Sequence, residues 1–175
     1  EQQQAQAAFL AAQLLTRYHY RATPLDVTMS EKIFDHYLKS LDAEKLFFVQ
    51  SDIDQLTAYR AQLGDAILKG DLSAPFSIFN RYAQRMNERF VYSRRLLKDG
   101  FDFKQKEEYQ YEREKAAWPK SDAEVNDLWR KRVKNDWLRL KLAGKDDKSI
   151  VETLDRRYQQ SLKRIAQVKS KDAFE

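Results

Sequence analysis

Cysteine is absent from this 175-residue sequence, and histidine occurs only at His19 and His36. Those scarcities exclude a disulfide, a cysteine nucleophile and a cysteine-based zinc finger or ribbon, and they disfavour a histidine-rich metal site. Glycine (Gly64, Gly70, Gly100, Gly144) and proline (Pro24, Pro75, Pro119) are nearly as rare. The glycines are isolated and no Gly-Lys-Ser/Thr occurs, so no phosphate-cradling loop can be written. The longest apolar run, Ala7 to Ala12, is far short of the ~20 residues that cross a bilayer. No membrane span is expected. No charged leader followed by an apolar stretch is present, so a targeting peptide is expected to lie outside these residues.

What the sequence does have is bulk and charge. Hydrophobic residues make up 42% and charged residues 34%, and ten Phe, nine Tyr and three Trp supply large material for a core. A chain of this length fits one domain and buries roughly two thirds of its unfolded surface. The few glycines and prolines fall between stretches of helical periodicity, which predicts an all-α fold, an irregular bundle of about six helices.

The first helix is expected over about Gln4 to Arg21, with Leu10, Leu14 and Tyr18 spaced by four and Pro24 beyond it. The second covers about Ser30 to Ala43. Thr28 and Glu31 have the spacing of a capping box, and Ile33, Phe34, Tyr37, Leu38 and Leu41 line one face. Ser51 and Asp54 give a similar start signal for a third helix reaching about Lys69, stopped by Gly70. Pro75 suits the first turn of a fourth, along which Phe76, Phe79, Ala83, Met86, Phe90, Ser93 and Leu97 follow steps of three and four. Ser121 and Glu124 open a fifth with Val125, Leu128, Trp129, Val133, Trp137 and Leu140 on its apolar face, and Gly144 as its cap. Ser149 and Glu152 open the last, whose stripe is Val151, Leu154, Tyr158, Leu162, Ile165 and Val168. Phe79, Met86, Phe90, Trp129, Trp137, Leu154 and Ile165 are therefore expected in the core. Residues 99–120 break the pattern. Asp99-Gly100 reads as a turn, and the aromatics Phe101, Phe103, Tyr109, Tyr111 and Trp118 stand among Lys, Glu and Gln, so this irregular segment should lie across a surface.

No catalytic spacing is found: neither His-Glu-x-x-His nor Glu-x-x-His occurs. No catalytic, cofactor-binding or metal-ligating residue is assigned, and no cofactor is expected. Carboxylates follow Lys or Arg closely, as in Glu107-Glu108 beside Lys104 and Lys106, which reads as a solvated ion-pair face. His19 and His36 read as packing or hydrogen-bonding residues. Most of the net charge of +5 is C-terminal, since residues 1–100 hold 13 basic and 12 acidic side chains and residues 101–175 hold 19 and 15. The excess gathers at Arg130-Lys131-Arg132, Lys134, Arg139, Lys141 and Lys145. A helix carrying them could serve an anionic partner such as nucleic acid, but the interleaved Asp127, Asp136, Asp146 and Asp147 would repel phosphates. No nucleic-acid partner is expected; an independent helical binding module using this basic helix is the alternative function.

Longer strings are more specific. Arg17-Tyr18-His19-Tyr20-Arg21, Lys32-Ile33-Phe34-Asp35-His36-Tyr37-Leu38 with Leu41-Asp42, Leu63-Gly64-Asp65, Trp118-Pro119-Lys120, Leu140-Lys141-Leu142-Ala143-Gly144-Lys145, and Thr153-Leu154 with Arg156-Arg157-Tyr158 occur in this order. Together with Ser51-Asp52 and with Glu124, Leu128 and Trp129, they resemble the N-terminal helical domain of the periplasmic tail-specific proteases, also called carboxyl-terminal processing proteases, of Gram-negative bacteria. The resemblance runs from about residue 9 to Phe174. It implies that residues 1–175 are one N-terminal helical domain of a longer periplasmic serine protease, a hydrolase that degrades or trims proteins recognised by apolar C-termini through a PDZ domain and cleaves with a serine-lysine dyad. No residue of this chain matches the dyad. The implied role is noncatalytic: scaffolding, gating of protein substrates or docking of an adaptor protein. The implied partners are the protease and PDZ domains of the parent chain. Phe101, Phe103, Tyr109, Tyr111 and Trp118 are the candidate interdomain contact, against the competing expectation that the segment wraps the bundle and buries all five internally.

Overall fold

The computed structural model describes residues 26–170, so the expected helix from Gln4 to Arg21, and His19 with it, lies outside the described residues. Among the described residues there are six α-helices and no strand, and no helix is long and apolar enough to cross a membrane. The all-α class holds.

Helix α1, Val27–Leu41, starts a turn earlier than Thr28 and Glu31 suggested, because Asp26 takes the capping role: its Oδ1 accepts from the Met29 amide at 2.7 Å. Its face is the expected one, with Ile33, Phe34, Tyr37 and Leu38 buried. The predicted third helix is broken in two, α2 at Gln50–Leu56 and α3 at Leu63–Leu68, with a 3₁₀ turn at Thr57–Tyr59 between them. The break is held from α1. Ser30 Oγ donates to the Arg60 carbonyl at 3.0 Å and accepts from the Gly64 amide at 2.9 Å, satisfying backbone groups that a continuous helix would have paired within itself.

Helix α4, Ser73–Asp99, has Pro75 in its first turn as expected. Helix α5, Asp122–Leu142, is capped by Ser121, whose Oγ accepts from Glu124 N at 3.1 Å, while Glu124 Oε2 reaches back to Lys120 N at 2.9 Å. It ends as predicted, with Gly144 at φ +91° just past its last turn. Helix α6, Asp147–Ser170, is entered through Asp146, whose Oδ1 accepts from Ser149 N at 2.8 Å, so the capping side chain is Asp146 and not Ser149.

Three apolar clusters hold these elements together. One joins α1, α2 and α3 to the start of α4 around Phe34, Tyr37, Phe48 and Ile78. A second joins the end of α4 to α5 and α6 around Leu97, Trp137, Ile150 and Leu154. The third sits between them, where Leu46 and Val49 meet Val125 and Trp129. Pairing of Arg94 with Asp155 at 2.8 Å and of the Phe90 and Tyr158 rings at 6.0 Å sets α4 and α6 antiparallel.

The expected core is correct at Trp129, Trp137 and Leu154, which are buried. It needs correction at Phe79, Met86, Phe90 and Ile165, which are only half-buried. A single stripe does not describe α4. Its first half turns Ala74 and Ile78 toward α1–α3, and its last turns direct Leu96 and Leu97 toward α5 and α6. Serving two clusters on different sides rotates the buried face along the helix, and Phe79 and Met86 fall at its margin.

Candidate interdomain surface

The irregular segment from Phe101 to Pro119 is a strap, fastened at both ends and laid over α5 between them. Its start is aromatic. Phe101 and Phe103 stack near each other at 6.2 Å and both meet Trp137, at 5.8 and 6.2 Å, while Lys141 Nζ lies 4.8 Å from the Phe103 ring centre. Its end is fixed by Trp118, edge-on to Phe48 at 6.0 Å, and by the Pro119 carbonyl, which accepts from Gln50 N at 2.7 Å. Close to that end, Glu44 Oε2 accepts from Arg113 N at 2.6 Å, and Lys45 donates to the Glu114 carbonyl while its ammonium lies 5.6 Å from the Trp118 ring. Lys39 pairs with the Glu114 carboxylate.

The middle of the strap is held by charge and hydroxyl groups. Glu107 accepts from Arg130 at 2.9 Å and from Lys134 at 3.3 Å, and Lys134 also donates to the Gln105 carbonyl at 3.1 Å. The Arg130 and Lys134 hydrogen bonds hold the Glu107 carboxyl below the usual glutamate range in spite of its desolvation. Arg132 donates to Tyr109 Oη at 2.8 Å and Asn135 to Tyr111 Oη at 2.6 Å. The two tyrosine rings meet edge to face at 5.0 Å, and the Arg139 guanidinium lies 4.9 Å from the Tyr111 ring.

The five candidate aromatics thus form three separate footings on the domain and not one patch. Phe101 with Phe103, Tyr109 with Tyr111, and Trp118 each contact the bundle, and Tyr111 alone keeps about half its surface, 49%, exposed. Leu138 and Leu142 on α5 are also exposed, Leu142 at 80%. The expected solvated pairing of Glu107 with Lys104 and Lys106 is replaced by the pairing with α5, because only a side chain from another element can leave Glu107 at 11% exposure.

The basic row of α5 is engaged from within. Arg130 and Lys131 also pair with Asp127, at 2.9 and 3.2 Å, and Arg132 lies over Trp129 at 5.4 Å. Phosphates tracking this helix would compete with those partners.

Sequence reasoning missed two buried carboxylates that shape this end of the molecule. Asp52 is fully buried between Arg81, at 2.7 Å, and Arg85, at 2.8 Å, and also accepts from Val49 N at 3.0 Å. Burial alone would raise its pKa, but those hydrogen bonds and the Arg85 charge outweigh it and hold the carboxyl below the usual range. Asp42 ends α1 and accepts from the amides of Leu46, Phe47 and Phe48 at 2.8, 3.0 and 2.9 Å. There burial prevails and pushes the carboxyl up. The signal for Asp52 was its place three residues after Val49 with arginines four apart at 81, 85 and 89, a row no isolated helix explains.

Residues 11–175 match the model of the tail specific protease N-terminal domain. The tail-specific protease of Haemophilus influenzae is 42% identical over 159 residues, covering 90% of this chain and 23% of that protein. The chain therefore spans about a quarter of the length of this curated relative. The family strings from Lys32 onward lie within the helical bundle and the strap that carries the candidate contact residues, and the family match covers nearly all of the sequence: the chain belongs to the tail-specific protease N-terminal domain family.

Proposed function

We propose that this chain is the noncatalytic accessory domain of a longer periplasmic serine endopeptidase that trims or degrades proteins bearing apolar C-termini. In this reading it frames substrate access to the protease and PDZ regions or receives an adaptor protein, and its strap, through the half-exposed Tyr111, bears on the remainder of the parent. The single observation that carries it is the match of residues 11–175 to a protease N-terminal domain that occupies only 23% of the relative's length. The engaged state of the α5 cations gives no support to the nucleic-acid alternative.

The test is a cleavage assay on an unfolded protein with an apolar C-terminus, run with this chain alone and with the longer protein. The chain alone is expected to leave the substrate intact and the longer protein to cleave it; cleavage by the chain alone refutes the noncatalytic role. Hydrogen exchange of residues 101–119 in both forms tests the contact. Slower exchange around Tyr111 in the longer protein is expected, and equal protection in both excludes the strap as an interface.

A further inference from the structure

The middle of the strap is bound to the bundle in an unusual way. Among the described residues, no backbone-to-backbone hydrogen bond ties the strap between Phe101 and Glu112 to another element. Among the described residues its hold is made by side chains: Glu107, the Gln105 carbonyl reached by Lys134, the two tyrosine hydroxyls and the Tyr111 ring under Arg139. Nor is it close-packed. A cleft of about 460 Å³ opens between Phe103–Tyr109 of the strap and Lys131, Lys134, Asn135 and Leu138 of α5. A second, of about 640 Å³, lies between Glu108–Arg113 of the strap and the start of α5, and the two share Tyr109 and Lys131 in their walls. Protein interiors are normally filled to crystal-like density, so a segment flanked by open space and held by side-chain charges is a cover and not part of the core. Its two ends are packed, at Trp137 and at Phe48, so the middle can lift while both ends stay in place.

Beneath it, α5 presents Arg130, Arg132, Lys134 and Arg139, each facing a strap group: a carboxylate, a hydroxyl, a carbonyl or a ring. The strap sequence from Lys104 to Arg113 holds Glu107, Glu108 and Glu112 and the tyrosines Tyr109 and Tyr111, its three carboxylates balanced by Lys104, Lys106 and Arg113. It therefore displays the chemistry that this face recognises. We propose that residues 104–112 are an exchangeable cover over a binding face of α5, and that the occupant displacing them is a polypeptide segment that, like the strap, sets a glutamate beside tyrosines. In the closed state the cover lowers the face's apparent affinity by the fraction of molecules in which it is lifted. The face works whichever larger protein the domain serves, so its failure would leave the accessory role untouched.

The experiment uses a synthetic peptide with the sequence of residues 104–113, titrated calorimetrically into the chain and into two strap variants. Glu107→Gln removes the ion pairs with Arg130 and Lys134; Tyr109→Phe removes only the hydroxyl that accepts from Arg132 and leaves the fold's packing intact. Both variants are expected to bind the peptide more tightly than the parent chain, Glu107→Gln by about tenfold. Adding Arg132→Gln and Lys134→Gln should abolish that gain. Hydrogen exchange at residues 104–112 should quicken in both variants while α5 keeps its protection. Equal affinity in parent and both variants overturns the proposal, as does equal binding of a control peptide lacking the carboxylate and both hydroxyls. Tighter binding of a single-stranded oligonucleotide than of the peptide overturns the polypeptide assignment, and loss of α5 protection in both variants overturns the strap's independence.

Discussion

Asp52 and Asp42 are two fully or nearly fully buried aspartates, 0% and 3% exposed, that respond to pH in opposite senses. Asp52 has a folded pKa below its unfolded value. The stability it brings is present above the unfolded pKa of about 3.9 and is lost as pH falls through the folded one. Removing it leaves Arg85 and Arg81, only 19% and 29% exposed, facing an empty site. Asp52→Ala is expected to cost about 3 kcal/mol near neutral pH, read as a lower denaturant midpoint at unchanged slope. Asp42 has a folded pKa raised by burial, so its favourable term is complete below the unfolded pKa and is lost as pH rises through the folded one. Denaturant titrations across the acid range should show wild type losing its lead over Asp52→Asn as pH drops, and losing ground to Asp42→Asn as pH rises. Parallel slopes for the two variants would contradict the assignment.

At the scale of elements, legibility followed the size of the signal. The faces of α1 and α5 were readable because large apolar residues recur every three or four positions and each helix serves one side. Starts were readable where a single marker was available, as Pro75 was for α4. At α5, Ser121 had no rival; at α1 and α6, Asp26 and Asp146 lie just upstream of the residues that the pattern favoured and take the role with better reach to the open amides. The break between α2 and α3 was invisible because no glycine or proline stands at residues 57–62, and the cause, Ser30, is about 30 residues away. The strap was visible as an irregular segment from Asp99-Gly100 and Pro119, but its partners on α5 were not, since Glu107 and Lys134 are brought together only by the fold. A direct check of α5's boundaries is Ser121→Ala, which should lower stability by about 1 kcal/mol. Gly144→Ala should cost about 1 kcal/mol as well, since a Cβ at Gly144 meets no atom within 4 Å and only the left-handed backbone at φ +91° resists it. A much larger loss at Gly144, measured by thermal unfolding, would mean that the space beside it is occupied.

Across the whole molecule, α4 is the common wall. At 27 residues it is about 40 Å long, and it meets one apolar cluster at Ile78 and another at Leu96 and Leu97. Truncations in clusters that share no partner should add. Ile78→Ala and Leu154→Ala, both at fully buried sites, are each expected to cost about 2–5 kcal/mol, and the double variant should equal their sum within about 0.5 kcal/mol. A coupling above 1 kcal/mol would show the clusters acting as one body. The same division has an optical consequence. Trp118 packs on the first cluster, Trp137 belongs to the second and Trp129 to the third, so each carries one indole. Trp129 is 1% exposed, and its Nε1 donates to the Leu46 carbonyl at 2.6 Å. With phenylalanine at the other two positions, intrinsic fluorescence would follow one region at a time, and the order in which the three emissions shift on dilution from denaturant would reveal which part of the bundle assembles first.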